Sequence, residues 1–280
     1  MSRPPWSWHL LRAGTLRLDG GGMFGVVPRT IWSKLTPPDD LNRIVIQTNC
    51  LLLRRDRLNV LVEAGSGDKW NDRERSLYGI QQRTIADALA EIDVSPETIT
   101  HVIVTHLHFD HSGGLTRFDP AGKPVATFPR APVFVQRIEW EDALANKSTM
   151  TRTYLRNHLD PIADRLRLLN GESEISDLPG ISVLPVPGHT WGLQAVIFRD
   201  EQGTVCFPGD VIPTIHHAAP AFSLGYDMMP YQNMLTKKAL LDRAHRDQWR
   251  LVLDHEPGPP VVRVVQHPEK PVQFSLEPVG

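Results

Sequence analysis

The sequence predicts an α/β fold in which two mixed β-sheets carry helices on their outer faces. Strand patterns alternate with helical patterns along the chain, and several neighbouring strand patterns are close enough to form hairpins. In addition, four strand patterns end in histidine or aspartate. Because these strand ends would share one edge of the fold, we expect that edge to be the active face.

The composition indicates one large core and a small-molecule ligand. The 280 residues are 41% hydrophobic and have a formal net charge of −2, with Lys and Arg spread along the chain. We therefore expect a single domain over residues 1–280, with no nucleic-acid partner and no membrane partner. The N-terminus lacks a secretory signal pattern, which favours a cytoplasmic protein. Cys50 and Cys206 lie in apolar strand patterns and are predicted to be core residues.

Residues 1–42 are predicted to form an N-terminal loop that packs near the rim of the active site. Residues 20–40 are rich in Gly and Pro, yet they include Met23, Phe24 and Trp32. A solvated linker would lack such large apolar side chains. Covering the edge of the core is the alternative role for this loop.

The next part of the chain alternates between strands and short helices. Residues 43–53 and 59–63 predict a hairpin joined by a charged turn. Residues 82–92 have apolar side chains at helical spacing, and Pro96 after Ser95 marks the start of a second short helix. These elements lead into the central strand.

The central stretch, residues 101–114, reads HVIVTHLHFDHSGG. Its apolar start predicts a buried strand, and His106, His108, Asp110 and His111 follow where that strand should end. Two histidines separated by one residue can point the same way on an extended chain, and the turn that follows can aim at a second point nearby. Imidazole and carboxylate are ligands of zinc and similar divalent ions, so this stretch predicts a site for two metals.

The second half of the chain repeats the arrangement of strands that end in a potential ligand. Strand patterns occupy residues 132–136, 181–186, 191–199, 204–207, 251–254, 261–265 and 272–275, and helical patterns occupy residues 137–146, 152–159 and 231–249. His189 follows the strand at 181–186, Asp210 follows the strand at 204–207, and His255 follows Asp254. These residues are expected at the same edge as the central motif.

The order and spacing of these residues resemble the metallo-β-lactamase superfamily over about residues 43–256. The matching positions are His106, His108, Asp110, His111, His189, Asp210 and His255. The resemblance implies an αββα sandwich with a two-metal site at one edge. By the family pattern, the first metal would be held by His106, His108 and His189, and the second by Asp110, His111 and His255, with Asp210 bridging. Zn²⁺ is the expected ion, with Mn²⁺, Fe²⁺ or Co²⁺ as alternatives.

Within that superfamily, the segment Asp19–Pro28, DGGGMFGVVP, and Trp32 resemble the branch that contains acyl-homoserine lactonases and organophosphate hydrolases. Many homoserine lactonases have a tyrosine three residues after the bridging aspartate, but this chain has Pro213 there. Tyr226, in a later loop, is the candidate replacement. Glu63 stands where the superfamily usually has Asp, and we expect a structural effect at most. By analogy with related lactonases, a homodimer is a further expectation.

The predicted reaction is hydrolysis of a lactone or ester, in the first place a lactone of the quorum-quenching type. Two metals would lower the pKa of a bridging water, so that a metal-bridged hydroxide attacks the carbonyl carbon. Asp210 as the bridge and Asp110 as ligand and proton carrier are assigned as catalytic. A phosphotriesterase or arylesterase with the same site is the alternative, and a mononuclear iron enzyme of the persulfide-dioxygenase kind is a more distant one.

Apolar side chains near the motif are the candidates for the substrate pocket. They are Met23, Phe24, Phe109, Phe222, Tyr226 and Met228. Ordinary core packing is the alternative role for each. His216 and His217 are expected to face solvent, with a substrate contact as their alternative, and His158 is expected to be structural.

Overall fold

Two mixed β-sheets of six and seven strands form the centre of the computed structural model, which describes residues 4–267 and 270–279. The first eight strands are β1 (Ser7–Asp19), β2 (Arg43–Arg55), β3 (Leu58–Val62), β4 (His101–Ile103), β5 (Thr116–Phe118), β6 (Pro124–Ala126), β7 (Val133–Gln136) and β8 (Leu166–Leu169). The remaining strands are β9 (Ser173–Glu174), β10 (Ile181–Pro185), β11 (Gln194–Asp200), β12 (Gly203–Phe207), β13 (Arg250–Val252), β14 (Val261–His267) and β15 (Lys270–Pro278). The outermost residues of the predicted domain, 1–3 and 280, lie outside the described part.

The helices are short except for the last one. They are α1 (Gly20–Phe24), α2 (Arg29–Leu35), α3 (Asp72–Tyr78), α4 (Ile85–Ala90), α5 (Phe109–Ser112), α6 (Arg137–Leu144), α7 (Arg156–Leu159) and α8 (Pro230–Arg246). Within the described ranges, no helix has both the length and the apolar character that a membrane span requires.

Both sheets are mixed, as the sequence predicts. The first has the strand order β1-β2-β3-β4-β7-β8, with antiparallel pairs from β1 to β3 and parallel pairs from β3 to β8. The second has the order β15-β14-β13-β12-β11-β10-β9, and its one parallel pair among the described strands joins β12 to β13. Parallel neighbours bring several strand ends to one edge, and that edge carries the candidate site.

Strand periodicity sorts the apolar side chains into layers. In β2, Leu51 and Leu53 face the second sheet and pack with Val196 and Phe207, whereas Leu52 faces the helices of its own side. Successive side chains of a strand point to opposite faces, so a run that is apolar throughout fills two layers of core. The other face of the second sheet packs against α8. The layers are therefore helix, sheet, sheet and helix, which confirms the predicted αββα sandwich.

The prediction of an N-terminal loop over residues 1–42 is wrong for residues 7–19. They form β1, which pairs with β2 along its whole length. The pairing register shifts between Arg12 and Thr15, around Gly14, which has a positive φ of 116°. This β-bulge interrupts the alternation of side chains and hides the strand in the sequence.

The predicted helix over residues 152–159 is also too long, because α7 covers only its second half. Tyr154 is drawn into the core, where its hydroxyl donates to Glu139 at 3.1 Å. This long-range contact holds the preceding residues in a loop, and that loop forms part of the cavity wall described below.

Candidate metal centre

The strand ends bring all seven predicted ligands to one buried edge of the sandwich. His106 and His108 follow β4, and α5 carries Asp110 and His111. His189 follows β10, Asp210 lies in a 3₁₀ turn after β12, and His255 follows β13. Each of the seven side chains is buried. The structure therefore brings together the residues that the sequence singled out.

Three of the histidines form a first group. His106, His108 and His189 each offer a ring nitrogen within 4.8 Å of the others. The Nε2 atom of His189 lies 2.9 Å from the Nδ1 atom of His108. Three imidazole nitrogens that converge on one point are a common ligand set for zinc.

A second group lies beside the first and comprises His111, Asp210, Asp254 and His255. The Nε2 atoms of His111 and His255 are 3.2 Å apart. Asp110 lies at the edge of this group, because its Oδ2 is 3.6 Å from Nε2 of His255 and its Oδ1 is 3.8 Å from Nε2 of His111. The second group thus contains one carboxylate more than the predicted set.

Asp210 lies between the two groups and divides its carboxylate oxygens between them. Oδ2 is 3.0 Å from Nε2 of His189 and 4.0 Å from Nε2 of His106. Oδ1 is 3.1 Å from Nε2 of His255 and 3.5 Å from Nε2 of His111. A carboxylate in this position offers one oxygen to each group, which is the arrangement that a bridging ligand requires.

Sequence reasoning missed Asp254 as a member of the site. Its Oδ1 accepts a hydrogen bond from the backbone N–H of His255 at 3.0 Å, and its side chain is buried beside Asp210. The available signal was an acidic residue at the end of an apolar strand, directly before a predicted ligand. Burial raises the pKa of Asp254 well above its ordinary value.

Oxygen atoms beside Nδ1 fix the direction of four of the rings. Each has an oxygen atom near Nδ1: Thr105 Oγ1 at 3.0 Å for His106, Glu63 Oε2 at 3.3 Å for His111, Asp227 Oδ1 at 3.0 Å for His189, and the Gln47 carbonyl at 2.8 Å for His255. Nδ1 is therefore engaged, and Nε2 is left to point into the site. Such partners commonly hold metal-binding histidines in one orientation.

The charges of the site depend on Asp210. Burial opposes ionisation of Asp210, but the neighbouring His255, His189 and His111 hold its pKa well below the ordinary value. Burial likewise opposes protonation of His111, yet Asp210, Asp110 and Glu63 raise the pKa of His111 to about 9. Protons on the rings thus balance the carboxylates, and bound cations would displace these protons.

Some of the ligand atoms have no hydrogen-bond partner within the protein, and this favours a bound metal ion. Within the described residues, Nε2 of His106 and Oδ1 of Asp210 are buried and have no hydrogen-bond partner. Unpaired buried polar atoms are costly and rare in folded proteins. A set of imidazole nitrogens and carboxylate oxygens without partners, at the spacing given above, fits divalent ions such as Zn²⁺.

A cavity of about 410 Å³ opens onto the two groups. Its floor includes His108, Asp110 and Asp210, and its walls include three of the predicted pocket residues: Met23, Phe109 and Tyr226. Sequence reasoning missed the other parts of the wall, which are Leu18, Tyr78, the loop at residues 149–153, and Leu224. The cavity places apolar walls directly above the candidate metal centre.

The pocket predictions for Phe24, Phe222 and Met228 are wrong. Phe24 is fully buried and stacks on Trp32 with ring centroids 5.5 Å apart, and Phe222 packs edge-on against it at 6.0 Å. Met228 lies behind the wall, where its sulfur accepts from the N–H of Thr149 at 3.3 Å. Consecutive helical residues point about 100° apart, so Met23 reaches the cavity and Phe24 enters the core.

The expectation of a solvent-facing His217 is also wrong. Its ring is buried against Phe24, with centroids 5.1 Å apart, and its Nε2 donates to the carbonyl of Met23 at 2.8 Å. Burial lowers the pKa of His217 to about 3. His217 therefore anchors the segment that carries Met23 to the cavity wall, and His158 is buried against Trp70, as a structural residue would be.

Pro213 and Tyr226 occupy different parts of the site. The carbonyl of Pro213 accepts from the backbone N–H of His255 at 3.0 Å, so this position supports a ligand through its backbone. Tyr226 lines the cavity, and a Cβ atom at Gly22 would overlap its hydroxyl. The glycine at position 22 therefore makes room for the tyrosine.

Glu63, for which the sequence predicts a structural effect at most, contacts a residue of the candidate metal centre. It follows β3 with a positive φ of 67°, and its Oε1 accepts from the N–H of Thr105 at 2.6 Å while Oε2 lies beside His111.

We expect Glu63→Gln to weaken zinc affinity about 10- to 100-fold, because an amide nitrogen facing Nδ1 of His111 cannot accept its proton. Chelator competition measures the affinity. Glu141→Gln, on the exposed side of α6, is the matched control, and unchanged affinity in Glu63→Gln would contradict this role.

Comparison with protein families gives one match over most of the chain. The model described as "Metallo-beta-lactamase superfamily" matches residues 43–255. The N-acyl homoserine lactonase AiiA of Bacillus thuringiensis subsp. kurstaki is 28% identical over 194 residues, which are 65% of this chain and 67% of that protein. The N-acyl homoserine lactonase AttM of Azorhizobium caulinodans is 26% identical over 171 residues, 59% of this chain and 61% of that protein.

Solved structures show the same fold. A probable metal-dependent hydrolase from Staphylococcus aureus has a TM-score of 0.85 and 29% identity, and the match covers 94% of both chains. AidC, described as a dizinc quorum-quenching lactonase, has a TM-score of 0.79 and 20% identity, covering 100% of this chain and 96% of that one. At 20% identity, the likeness to AidC shows the fold alone.

Proposed function

The chain belongs to the metallo-β-lactamase superfamily of metal-dependent hydrolases, and we propose that it opens lactone rings with two bound metal ions. The position of Asp210 carries this proposal, because its two oxygens are divided between the two groups of histidines. A site for one metal would have no need of that division. The lactonases among the relatives support a lactone of the quorum-quenching type as the substrate.

Each of the seven candidate ligands has a role in this proposal. His106, His108 and His189 would hold one ion and Asp110, His111 and His255 the other, with Asp210 between them. When bound, the ions would supply a water that ionises near neutral pH and a Lewis acid for the carbonyl oxygen. Asp110 lies in the cavity floor, 3.6 Å from His255, where its carboxylate can take a proton from the attacking water and pass it to the leaving alkoxide.

The cavity wall suits the acyl part of such a substrate. Leu18, Met23, Phe109 and Leu224 give it an apolar lining next to the polar floor. The hydroxyl of Tyr226 makes no hydrogen bond with another described residue, and Tyr226 lines the cavity. We assign this hydroxyl to the substrate carbonyl, in place of the tyrosine that Pro213 replaces.

The decisive experiment is hydrolysis of N-hexanoyl-homoserine lactone, followed by proton release. We expect turnover by the purified protein, loss of turnover after chelation, and recovery when zinc is restored. Metal analysis of the active protein should give two ions per chain. The chelated protein, returned to buffer without metal, is the control for irreversible damage.

Two outcomes would contradict the proposal. Two bound metals without lactone turnover, together with hydrolysis of an aryl ester or a phosphotriester, would favour the alternative enzyme class and identify the missing tyrosine at Pro213 as the reason. A single iron per chain with no hydrolysis would favour the mononuclear oxygenase instead.

A further inference from the structure

A second cavity of about 670 Å³ lies next to the metal-site cavity. Leu18, Tyr78 and Tyr226 line both cavities, so these side chains lie between the two spaces. A substrate that extends from the metal centre into the second cavity would have to pass these side chains. The two cavities together are larger than a short acyl lactone requires.

The walls of the second cavity expose apolar side chains at the surface of the protein. Leu41 is 68% exposed and Leu77 is 58% exposed, and both line this cavity. Exposed apolar side chains that gather in one concave place often mark a ligand site. Together with Leu18, they form a surface that an alkyl chain would cover.

Charge distinguishes this cavity from a plain acyl groove. Arg17, Arg43 and Arg73 line it, and Asp19 is the acidic residue of the lining. Asp19 already accepts hydrogen bonds from the N–H of Gly22 and from Asn42, each at 2.9 Å. The cations therefore outnumber the carboxylates at this end of the path.

The three arginines differ in how far they are engaged. Asp39 lies 3.0 Å from Arg43 and 3.6 Å from Arg17, and Arg43 also donates to the carbonyl of Leu77 at 2.8 Å. Arg73 is exposed, and its side chain makes no ion pair or hydrogen bond with another residue in the described part of the chain. Its guanidinium is free to bind an anion, for which it has the matching fork of donors.

We propose that the second cavity selects a two-ended substrate, in which an apolar chain leads from the lactone or ester head to an anionic end group held by Arg73. The chain would pass between Tyr78 and Tyr226, cover Leu41 and Leu77, and place a carboxylate at the guanidinium. This inference rests on the proposed hydrolytic function and adds a substrate class to it.

The test compares two medium-chain acyl-homoserine lactones that differ only at the end of the chain. One ends in a free carboxylate and the other in its methyl ester. With the zinc-loaded protein, we expect kcat/KM to be about fivefold higher for the carboxylate, as one partly solvated ion pair would give. Arg73→Gln should remove the preference, and Arg73→Glu should reverse it. Arg130→Gln, an exposed arginine elsewhere on the surface, is the control and should keep the preference.

The outcomes separate this inference from the function on which it rests. Equal kcat/KM for the two lactones in the unmodified protein, or a preference that persists in Arg73→Gln, would overturn the inference and leave the lactonase assignment in place. If zinc-loaded protein hydrolyses neither these lactones nor butyryl-homoserine lactone, the proposed function fails, and the inference fails with it.

Discussion

Replacing Asp210 by asparagine is expected to remove bound metal and to lower kcat/KM by about three orders of magnitude or more. Asp210 is the one described carboxylate whose oxygens approach both groups of histidines, at 3.0 Å from His189 and 3.1 Å from His255. An amide offers one weak oxygen ligand and no charge to offset two dications. A loss of about three orders of magnitude or more in kcat/KM corresponds to several kcal/mol of lost charge stabilisation in the transition state.

Metal analysis and lactone hydrolysis measured on the same Asp210→Asn sample test this expectation. Circular dichroism and thermal unfolding show whether the variant remains folded. Asp164→Asn, at an exposed position outside the candidate metal centre, is the matched control for the change of charge. A variant that kept two metals and full activity would remove Asp210 from the role of bridge.

The sequence predicts most of the site because the chemistry is concentrated in short segments. Residues 101–114 combine an apolar strand, closely spaced ligands and a turn, and each of these features has a local cause. The same logic locates His189, Asp210 and His255, because each follows a strand of the mixed sheets. Helix α3 shows how a local signal can be overlooked, since Asn71 and Glu74 form a capping box that the sequence already contains.

The features that sequence reasoning missed depend on the direction of side chains and on long-range contacts. Met23 and Phe24 are neighbours of similar character, and only the orientation of α1 decides which of them reaches the cavity. His217 looks like a loop residue until Phe24 and Met23 are seen to enclose it. The loop at residues 149–153 has no pattern that predicts a pocket wall, and its position follows from the long-range contact of Tyr154 with Glu139.

The second large effect on metal binding and kcat/KM is expected at Asp110, and Asp254 is the carboxylate with which it can be compared directly. Both carboxylates lie beside His255, but their surroundings differ. Asp110 lines the cavity and has its oxygens 3.6 and 3.8 Å from Nε2 of His255 and His111. Asp254 is buried, and its Oδ1 already accepts from the N–H of His255. Asp110 is therefore the better placed of the two to bind a metal and to exchange protons with substrate.

Asp110→Asn is expected to lose one of the two metals and to lower kcat/KM about 100-fold or more, which is the usual effect of removing a general acid–base group. Asp254→Asn is expected to keep both metals and to stay within a few fold of the unmodified protein. Burial raises the pKa of Asp254 well above its ordinary value, which favours the neutral acid. Asparagine has the same shape as that acid and can still accept the hydrogen bond from His255.

Metal stoichiometry and kcat/KM, measured for the two variants side by side, decide between the carboxylates. Each variant serves as the control for the other, because the substitution is identical and both positions adjoin the same histidine. The opposite pattern, with one metal in Asp254→Asn and two in Asp110→Asn, would assign the second metal to Asp254. In that case Asp254 would have to bind as the carboxylate, and the charge of the metal would have to outweigh the effect of burial on its pKa.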